Sequence, residues 1–263
     1  MSAKLEEVDA VLTEYIRPQT FPVAVKIFQG PEGLPEKMKL PSKTFNHPLA
    51  MCQGITLARK YGWTVGFFKE DLACAVGQVI LGYVEEPEFI KDGSLVYPLY
   101  TDTLEAGART QSQTPRITGG NTYCIVAAPL QNATFEPDVV IVYGNGAQIA
   151  RMVQGALYKE GGCIESRFSG RGSCGGEITV PYVEQKCNVI IPGGGERIFA
   201  LTQDDELAFA IPSSKLEAVI EGIVATHKSG IARIPTPIFG VRAQPEFPKY
   251  YWELERHCGL RDS

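Results

Sequence analysis

The stretch Met51-Cys52-Gln53-Gly54, followed by Cys74-Ala75-Val76-Gly77, has a second, altered copy further along the chain. The second copy is Met152-Val153-Gln154-Gly155, followed at nearly the same spacing by Cys174-Gly175-Gly176. Self-similarity at a fixed spacing is typical of repeated structural units. We therefore predict two related halves, each of which presents one cysteine at an equivalent place.

Further matches between the two halves follow in the same order along the chain. The pattern predicts three pairs of strands and one pair of helices: strands Val23–Phe28 and Val139–Tyr143, helices around Gly54 and Gly155, strands 63–68 and 163–168, and strands ending at Pro129 and Pro212. Alternating strands and helices indicate an α/β or α+β fold. We expect two pseudo-symmetric repeats of strand-helix-strand-helix, packed as one compact unit.

The boundaries of these units follow from proline, glycine and the apolar period. An N-terminal helix is predicted within residues 1–20, the first repeat within 21–135 and the second within 136–230. Residues 84–117 have no counterpart in the second half and are interpreted as an insertion. The remaining residues, 231–263, are rich in proline and aromatic side chains and form a C-terminal tail.

Composition excludes several classes of protein. The chain has 263 residues and a net charge of −5, and it contains no basic run of the kind that nucleic-acid binding requires. No apolar run approaches the roughly 18 residues of a membrane span. The polar, acidic N-terminus does not resemble a signal peptide. We therefore expect a cytoplasmic protein without nucleic-acid or membrane partners.

The seven cysteines are the main candidates for chemistry. Disulfides are rare in a reducing cytoplasm, so a metal site or reactive thiols are the alternatives to inert buried cysteines. Thiolates bind iron–sulfur clusters and zinc. Four ligands of a 4Fe-4S cluster are predicted between the halves: Cys52, Cys74, Cys174 and Cys187. None of them has the close Cys-x-x-Cys spacing typical of such sites.

Arginine and glycine residues in the second half predict an anion site. Arg171 and the run Gly193, Gly194 and Gly195 combine a bidentate cation with exposed backbone amides. The alternative is a flexible hairpin with a solvated arginine. The acidic run Asp204-Asp205-Glu206 is interpreted as a solvated turn rather than a cation site.

Several of these motifs resemble domain-of-unknown-function family 169, also labelled ArCR. The matching residues are Met51-Cys52-Gln53-Gly54 with Ala58-Arg59, Leu72-Ala73-Cys74-Ala75-Val76-Gly77 with Leu81-Gly82, Ala128-Pro129-Leu130, Pro137-Asp138-Val139-Val140, and Asp205-Glu206-Leu207 running to Ile211-Pro212. The resemblance covers about residues 20 to 230. It implies a cytoplasmic protein of archaea and bacteria, often anaerobes, and transfers no activity.

Three hypotheses about function follow. The first is an iron–sulfur protein with a redox or cluster-assisted role, as a reductase or lyase if the cluster keeps an open position. The second is a metal-free protein that binds a small anion or carboxylate between the halves. The third is a dimeric scaffold or regulatory partner with inert cysteines, in which the chain forms a homodimer.

Overall fold

The computed structural model describes residues 2–228, 230, 233–235 and 251–260. Its centre is an antiparallel six-stranded sheet, consistent with the predicted mixture of strands and helices. The strands are β1 Val23–Phe28, β2 Val65–Phe67, β3 Cys124–Pro129, β4 Val139–Gly144, β5 Asn188–Ile190 and β6 Leu207–Pro212. Their order across the sheet is β2-β3-β1-β4-β6-β5.

Helices surround this sheet. They are α1 Ser2–Val11, α2 Pro41–Thr44, α3 Met51–Tyr61, α4 Ala75–Ile80, α5 Glu88–Lys91, α6 Leu104–Ser112, α7 Gly146–Leu157, α8 Val180–Glu184, α9 Gly194–Phe199, α10 Ser213–Lys228 and α11 Tyr251–His257. Helix α1 continues into a π-helical turn at Leu12–Ile16, and a second π-helical turn, Gly175–Thr179, precedes α8. Within the described residues, no helix is both long and apolar enough to cross a membrane.

The two faces of the sheet bury separate apolar cores. Alternate residues of a strand point to opposite faces, so Val23 and Val25 of β1 face one core while Ala24 and Phe28 face the other. The first core packs against α3 and α4 and is called here the α3 face. The second core packs against α1, α7 and α10. The candidate site described below lies on the α3 face.

Local sequence explains where the two helices with the repeated motif begin and end. Helix α3 begins where the Gln53 side chain accepts a hydrogen bond from the Ala50 backbone N–H (2.8 Å). It ends at Gly62, whose φ of 75° is a left-handed conformation that glycine adopts without strain. Helix α7 is capped at its N-terminus by Asn145, whose side chain accepts hydrogen bonds from the N–H groups of Ala147 and Gln148.

The predicted repeats remain a prediction. The strand order is compatible with an exchange of β1, β2 and β3 for β4, β5 and β6. Helices α3 and α7, however, pack on opposite faces of the sheet, which a two-fold axis perpendicular to the sheet would not produce. The repeated glycines also have different surroundings: Gly54 packs against the Phe67 ring, and Gly155 against Ile223 of α10.

One strand prediction is wrong. Residues 163–168 form no strand, and β5 at Asn188–Ile190 occupies that edge of the sheet instead. The 163–168 segment lies beside β5 through a side chain, because the Ser166 hydroxyl accepts a hydrogen bond from the Val189 N–H (3.0 Å). The predicted insertion at residues 84–117 carries α5 and α6. Most of the predicted C-terminal tail, including residues 236–250, lies outside the described residues.

Candidate functional site

Arg59 anchors a polar cluster inside the α3 face. Its side chain lies on α3 and is 1% exposed. Its guanidinium donates to both carboxylate oxygens of Glu206, at 2.7 Å and 3.1 Å, and also to the Thr202 hydroxyl at 3.3 Å. Burial opposes ionisation of Glu206, but the hydrogen bonds from Arg59 outweigh it and lower the pKa of this carboxyl group. Arg59 and Glu206 therefore form a neutralised ion pair.

Tyr143 of β4 lies beneath this ion pair. The Arg59 guanidinium carbon is 4.0 Å from the centre of the Tyr143 ring, a cation–π distance. The Tyr143 hydroxyl donates to Glu177 Oε1 at 2.5 Å, and Glu196 Oε1 lies 3.5 Å from the same hydroxyl. Burial and the two neighbouring carboxyl groups raise the pKa of Tyr143, so the phenol remains protonated and acts as the donor.

Glu177 and Glu196 form a buried carboxyl pair. Glu177 lies in the π-helical turn Gly175–Thr179 and is fully buried, while Glu196 lies on α9 and is 4% exposed. Within the described part of the chain, the second oxygen of each carboxyl group, Oε2, has no hydrogen-bond partner. Burial raises the pKa of Glu177, and burial together with the adjacent Glu177 raises the pKa of Glu196 well above its ordinary value.

Three of the four predicted cysteine ligands lie near this pair. Cys52 is half-buried on α3, Cys174 is half-buried just before the π-helical turn, and Cys74 is exposed at the start of α4. Burial, followed by the charges of Glu196 and Glu177, raises the pKa of the Cys52 thiol to about 12. Burial and the neighbouring thiols raise the pKa of Cys174 well above its ordinary value. Both thiols are therefore protonated at neutral pH.

Cys187, the fourth predicted ligand, lies apart from the other three. It is buried in the core on the opposite face of the sheet, where burial raises the pKa of its thiol to about 11. Among the residues that the structure describes, no group of three or more histidine, cysteine, aspartate or glutamate side chains is arranged to hold a metal ion. The side chains as they stand do not fit the predicted set of four cluster ligands.

The predicted anion-binding residue Arg171 borders a cavity of about 500 Å³. The cavity lies between α6, the loop at residues 167–176 and β5. Two further arginines, Arg109 and Arg167, line it together with apolar side chains of β5 and the Thr110 side chain of α6. Its volume is within the range of small-molecule sites. Arg167 already pairs with Glu184 (3.1 Å), whereas no carboxylate is paired with Arg171 among the described residues.

Arg171 lacks a full set of partners in this cavity. Its guanidinium carbon is 4.9 Å from the centre of the Tyr100 ring, and its buried Nη1 has no hydrogen-bond partner among the described residues. Partial burial lowers the pKa of Arg171, while the nearby Tyr100 and Cys74 favour its charge. The guanidinium is therefore a cation, since arginine stays protonated throughout the physiological range.

The predicted glycine run lies between the cavity wall and the helix that carries Glu196. The Gly193 N–H donates to the Ser173 hydroxyl in the cavity wall at 2.7 Å. Gly194 and Gly195 form the first turn of α9, the helix that carries Glu196. The structure therefore brings Arg171 and Gly193 together, while Gly194 and Gly195 position the acidic side chain rather than line the cavity.

Sequence reasoning missed the acidic cluster itself. Glu206 belongs to the acidic run that we interpreted as a solvated turn, although its partner Arg59 lies far away in the sequence. Tyr143 lies in an apolar strand and Glu177 follows two glycines, with no motif of their own, while Glu196 directly follows the glycine run that predicts the anion site. A tyrosine in a buried strand and a glutamate amid apolar residues were the available signals.

These features define a mixed α and β protein with a buried carboxyl, tyrosine and arginine cluster beside an arginine-lined cavity. The chain belongs to family DUF169, described as uncharacterised ArCR, whose sequence model matches residues 11–222. The family predicted from the motifs is thereby confirmed. The chain is also similar to an uncharacterized protein of Methanocaldococcus jannaschii, with 28% identity over 205 residues, covering 76% of this chain and 85% of that protein. No solved structure matches the chain significantly.

Proposed function

We propose that this protein binds a small organic anion, such as a carboxylate or phosphate ester, in the cavity beside Arg171. The carrying observation is the buried Nη1 of Arg171, which has no hydrogen-bond partner among the described residues and borders a cavity of about 500 Å³. A buried donor on a cation is costly to leave without a partner. An anionic ligand would supply that partner.

The lining of the cavity supports a ligand with both a charged and an apolar part. Arg109 and Arg171 provide positive charge, while Thr110 of α6 and Thr114 just beyond it provide hydroxyl oxygens whose protons are donated to backbone carbonyls. Phe168 and the side chains of Val189 and Ile190 add apolar surface to the lining. Ligand sites commonly combine an apolar lining with a few convergent polar groups that fix orientation.

Binding can be measured by isothermal titration calorimetry with inorganic phosphate, succinate and citrate as probes. We expect at least one probe to bind saturably, and Arg171→Gln to weaken its binding by about tenfold or more, because a charge-assisted hydrogen bond is lost. Arg17→Gln is the matched control, since Arg17 is exposed at the end of the N-terminal helix.

Two results would contradict the proposal. The first is that none of the three probes binds the unchanged protein. The second is that a probe binds the Arg171→Gln variant and the unchanged protein with equal affinity. The Arg167→Gln variant tests whether the effect is specific to Arg171, because Arg167 lines the same cavity but already pairs with Glu184. We expect it to weaken binding less than Arg171→Gln does.

An iron–sulfur role is the second proposal. It is favoured by the proximity of the thiols of Cys52, Cys74 and Cys174, three of the four predicted ligands, because Cys74 lies close enough to raise the pKa of the other two. A cluster there would require the side chains to rearrange, and Cys187 would not take part. Iron and sulfide quantitation after anaerobic purification and reconstitution tests this proposal. Protein without iron after reconstitution would rule out the cluster.

A further inference from the structure

We propose that Glu177 and Glu196 share one proton and that binding of an anion at Arg171 shifts the protonation of this pair. The inference rests on the proposed function for its ligand, a small carboxylate or phosphate. The sharing of the proton rests on the contacts of the pair, because the Tyr143 hydroxyl lies 2.5 Å from Glu177 Oε1 and 3.5 Å from Glu196 Oε1, and the two carboxyl groups form a side-chain hydrogen bond with each other. The two parts can therefore be tested separately.

The charge balance of the cluster requires a proton on the pair. Arg59 is the cation of this cluster, and both of its Nη groups are bound to Glu206, one of them also to Thr202. It contacts the Tyr143 ring, and its charge lowers the pKa of Glu177 and Glu196 by less than burial raises it. Two ionised carboxylates side by side in a water-excluded interior repel each other strongly. A single shared proton removes one of the two charges.

Tyr143 indicates which carboxyl group is ionised. A phenol has one proton to donate, and it lies 2.5 Å from Glu177 Oε1 but 3.5 Å from Glu196 Oε1. Glu177 is therefore the acceptor, and Glu196 carries the proton. A direct interaction between the two carboxyl groups is attractive only in this singly protonated state. The raised pKa of Glu196 agrees with this assignment.

A purely structural role does not account for two acidic side chains here. The Oε2 atoms of Glu177 and Glu196 are both buried, and among the described residues no donor outside the pair reaches them. A buried ionisable group is often no more stabilising than a neutral one of similar shape. Pairs of titratable groups whose environments separate their protonation states are typical of acid–base sites.

Both members of the pair are joined to the wall of the cavity. Gly175 and Gly176 line the cavity and immediately precede Glu177. Ser173 also lines it and accepts the hydrogen bond from Gly193, at the start of the helix that carries Glu196. Both carboxyl groups are close enough to raise the pKa of the Cys52 and Cys174 thiols, and Cys74 lies near Arg171. The pair therefore lies behind the wall of the anion site.

The coupling is a proton exchange with solvent and balances without a further reactant. When an anion binds at Arg171, the pair takes up a proton from solvent and an O–H bond forms on Glu196. When the anion leaves, that O–H bond breaks, the proton returns to solvent, and both carboxyl groups are ionised, with Tyr143 donating to Glu177. Glu177 and Glu196 do not line the cavity, so the proton does not have to come from the ligand.

The titration of the pair can be followed by NMR of protein labelled with ¹³C at the glutamate carboxyl carbons. We expect two steps more than about one pH unit apart. In Glu177→Gln the upper step of Glu196 should move to lower pH, since the neighbouring negative charge is gone. Glu36→Gln, at an exposed position, should leave both steps unchanged. If Glu177 and Glu196 both titrate at the ordinary glutamate value of about 4.3, proton sharing is wrong.

Coupling to the anion site is measured by titrating phosphate into the protein in two buffers with different heats of ionisation. The pH is set at the upper titration step. We expect proton uptake in the unchanged protein, because an added negative charge disfavours ionisation of the pair, and no uptake in Glu196→Gln. Phosphate that binds without proton uptake would overturn the coupling. Failure of phosphate to bind would count against the proposed anion site and not against proton sharing, which the NMR titration decides on its own.

Discussion

The Arg59 guanidinium stacks on the Tyr143 ring at 4.0 Å while its Nη groups bind Glu206. This relationship joins α3 and β4 to the loop that precedes β6. Neighbouring residues of α3 hold the same loop region, because the Thr56 hydroxyl and the Lys60 ammonium donate to the carbonyl oxygens of Ala200 and Leu201. One face of α3 therefore fixes the segment that follows Glu196.

Removal of Arg59 should destabilise the fold strongly. We expect Arg59→Met to cost about 3–5 kcal/mol of unfolding free energy, because Glu206 would lose its buried partner. Urea unfolding at neutral pH measures this cost. The contribution of the pair should be present above the unfolded pKa of about 4.3 and be lost as pH falls through the lowered pKa of Glu206.

A double-mutant cycle separates the pair from its surroundings. The double variant Arg59→Met with Glu206→Gln should lose clearly less unfolding free energy than the sum of the losses in the two single variants. Each single variant leaves one buried charge without its partner, whereas the double variant leaves none. Additive costs would show that Arg59 stabilises the protein through Tyr143 and packing rather than through Glu206.

Neutralisation of Glu196 should have the opposite effect at neutral pH. We expect Glu196→Gln to stabilise the protein by about 1–3 kcal/mol at pH 8 and by less at pH 5. The raised pKa keeps a proton on the folded state, so stability falls as pH rises from about 4.3 through the folded pKa. The amide side chain of the Glu196→Gln variant does not titrate, so this fall in stability with rising pH should be absent from the variant. Thermal unfolding across this pH range measures it, with the exposed Glu36→Gln as control.

A Glu196→Gln variant that is less stable at every pH would contradict this expectation. It would mean that the carboxyl group makes a hydrogen bond in its ionised form that the amide cannot replace. The same series on Glu177→Gln is informative, because Glu177 accepts the 2.5 Å hydrogen bond from Tyr143. We expect Glu177→Gln to be the less favourable of the two substitutions.

The glycines of the repeated motif should be intolerant of a side chain. A Cβ atom at Gly54 would overlap the Phe67 ring, and one at Gly155 would overlap Ile223. We expect Gly54→Ala and Gly155→Ala each to cost about 1–3 kcal/mol, typical of overpacking. Gly146→Ala is the control, since a Cβ there meets nothing within 4 Å. Urea unfolding distinguishes them.

If Gly54→Ala were as stable as Gly146→Ala, the Phe67 ring would have to move aside at little cost. The repeated Gln-Gly motif would then need an explanation other than helix packing.

The thiols should fall into two classes of reactivity. Cys163 and Cys258 are exposed and should react with iodoacetamide at pH 8 within the ordinary range for free thiols. Cys52, Cys124 and Cys187 should react far more slowly, because burial raises the pKa of each thiol to about 11 or 12. Mass spectrometry of timed digests measures each site. Fast labelling of Cys52 in folded protein would contradict its assigned environment.

Much of the fold follows from local sequence. The apolar period, proline and glycine place α3 with its stop at Gly62, the buried strand that becomes β4, and the strand that ends at Pro212. Residues 163–168 are predicted as a strand from their match with residues 63–68 in the first half, and such a match does not show whether an edge of the sheet is free to accept the segment. In the folded protein, that edge pairs with Asn188–Ile190.

The candidate site divides in the same way. The sequence by itself led to the prediction of an anion site at Arg171 and the Gly193 run, since these residue types carry their chemistry wherever they lie. Only the tertiary structure decided that Arg59 meets Glu206 across the chain, that Glu177 and Glu196 share one buried space, and that Cys187 is separated from Cys52 by the sheet. The physical reason is that pairing and burial depend on which distant segments share one face of the sheet, and local periodicity carries no information about that choice.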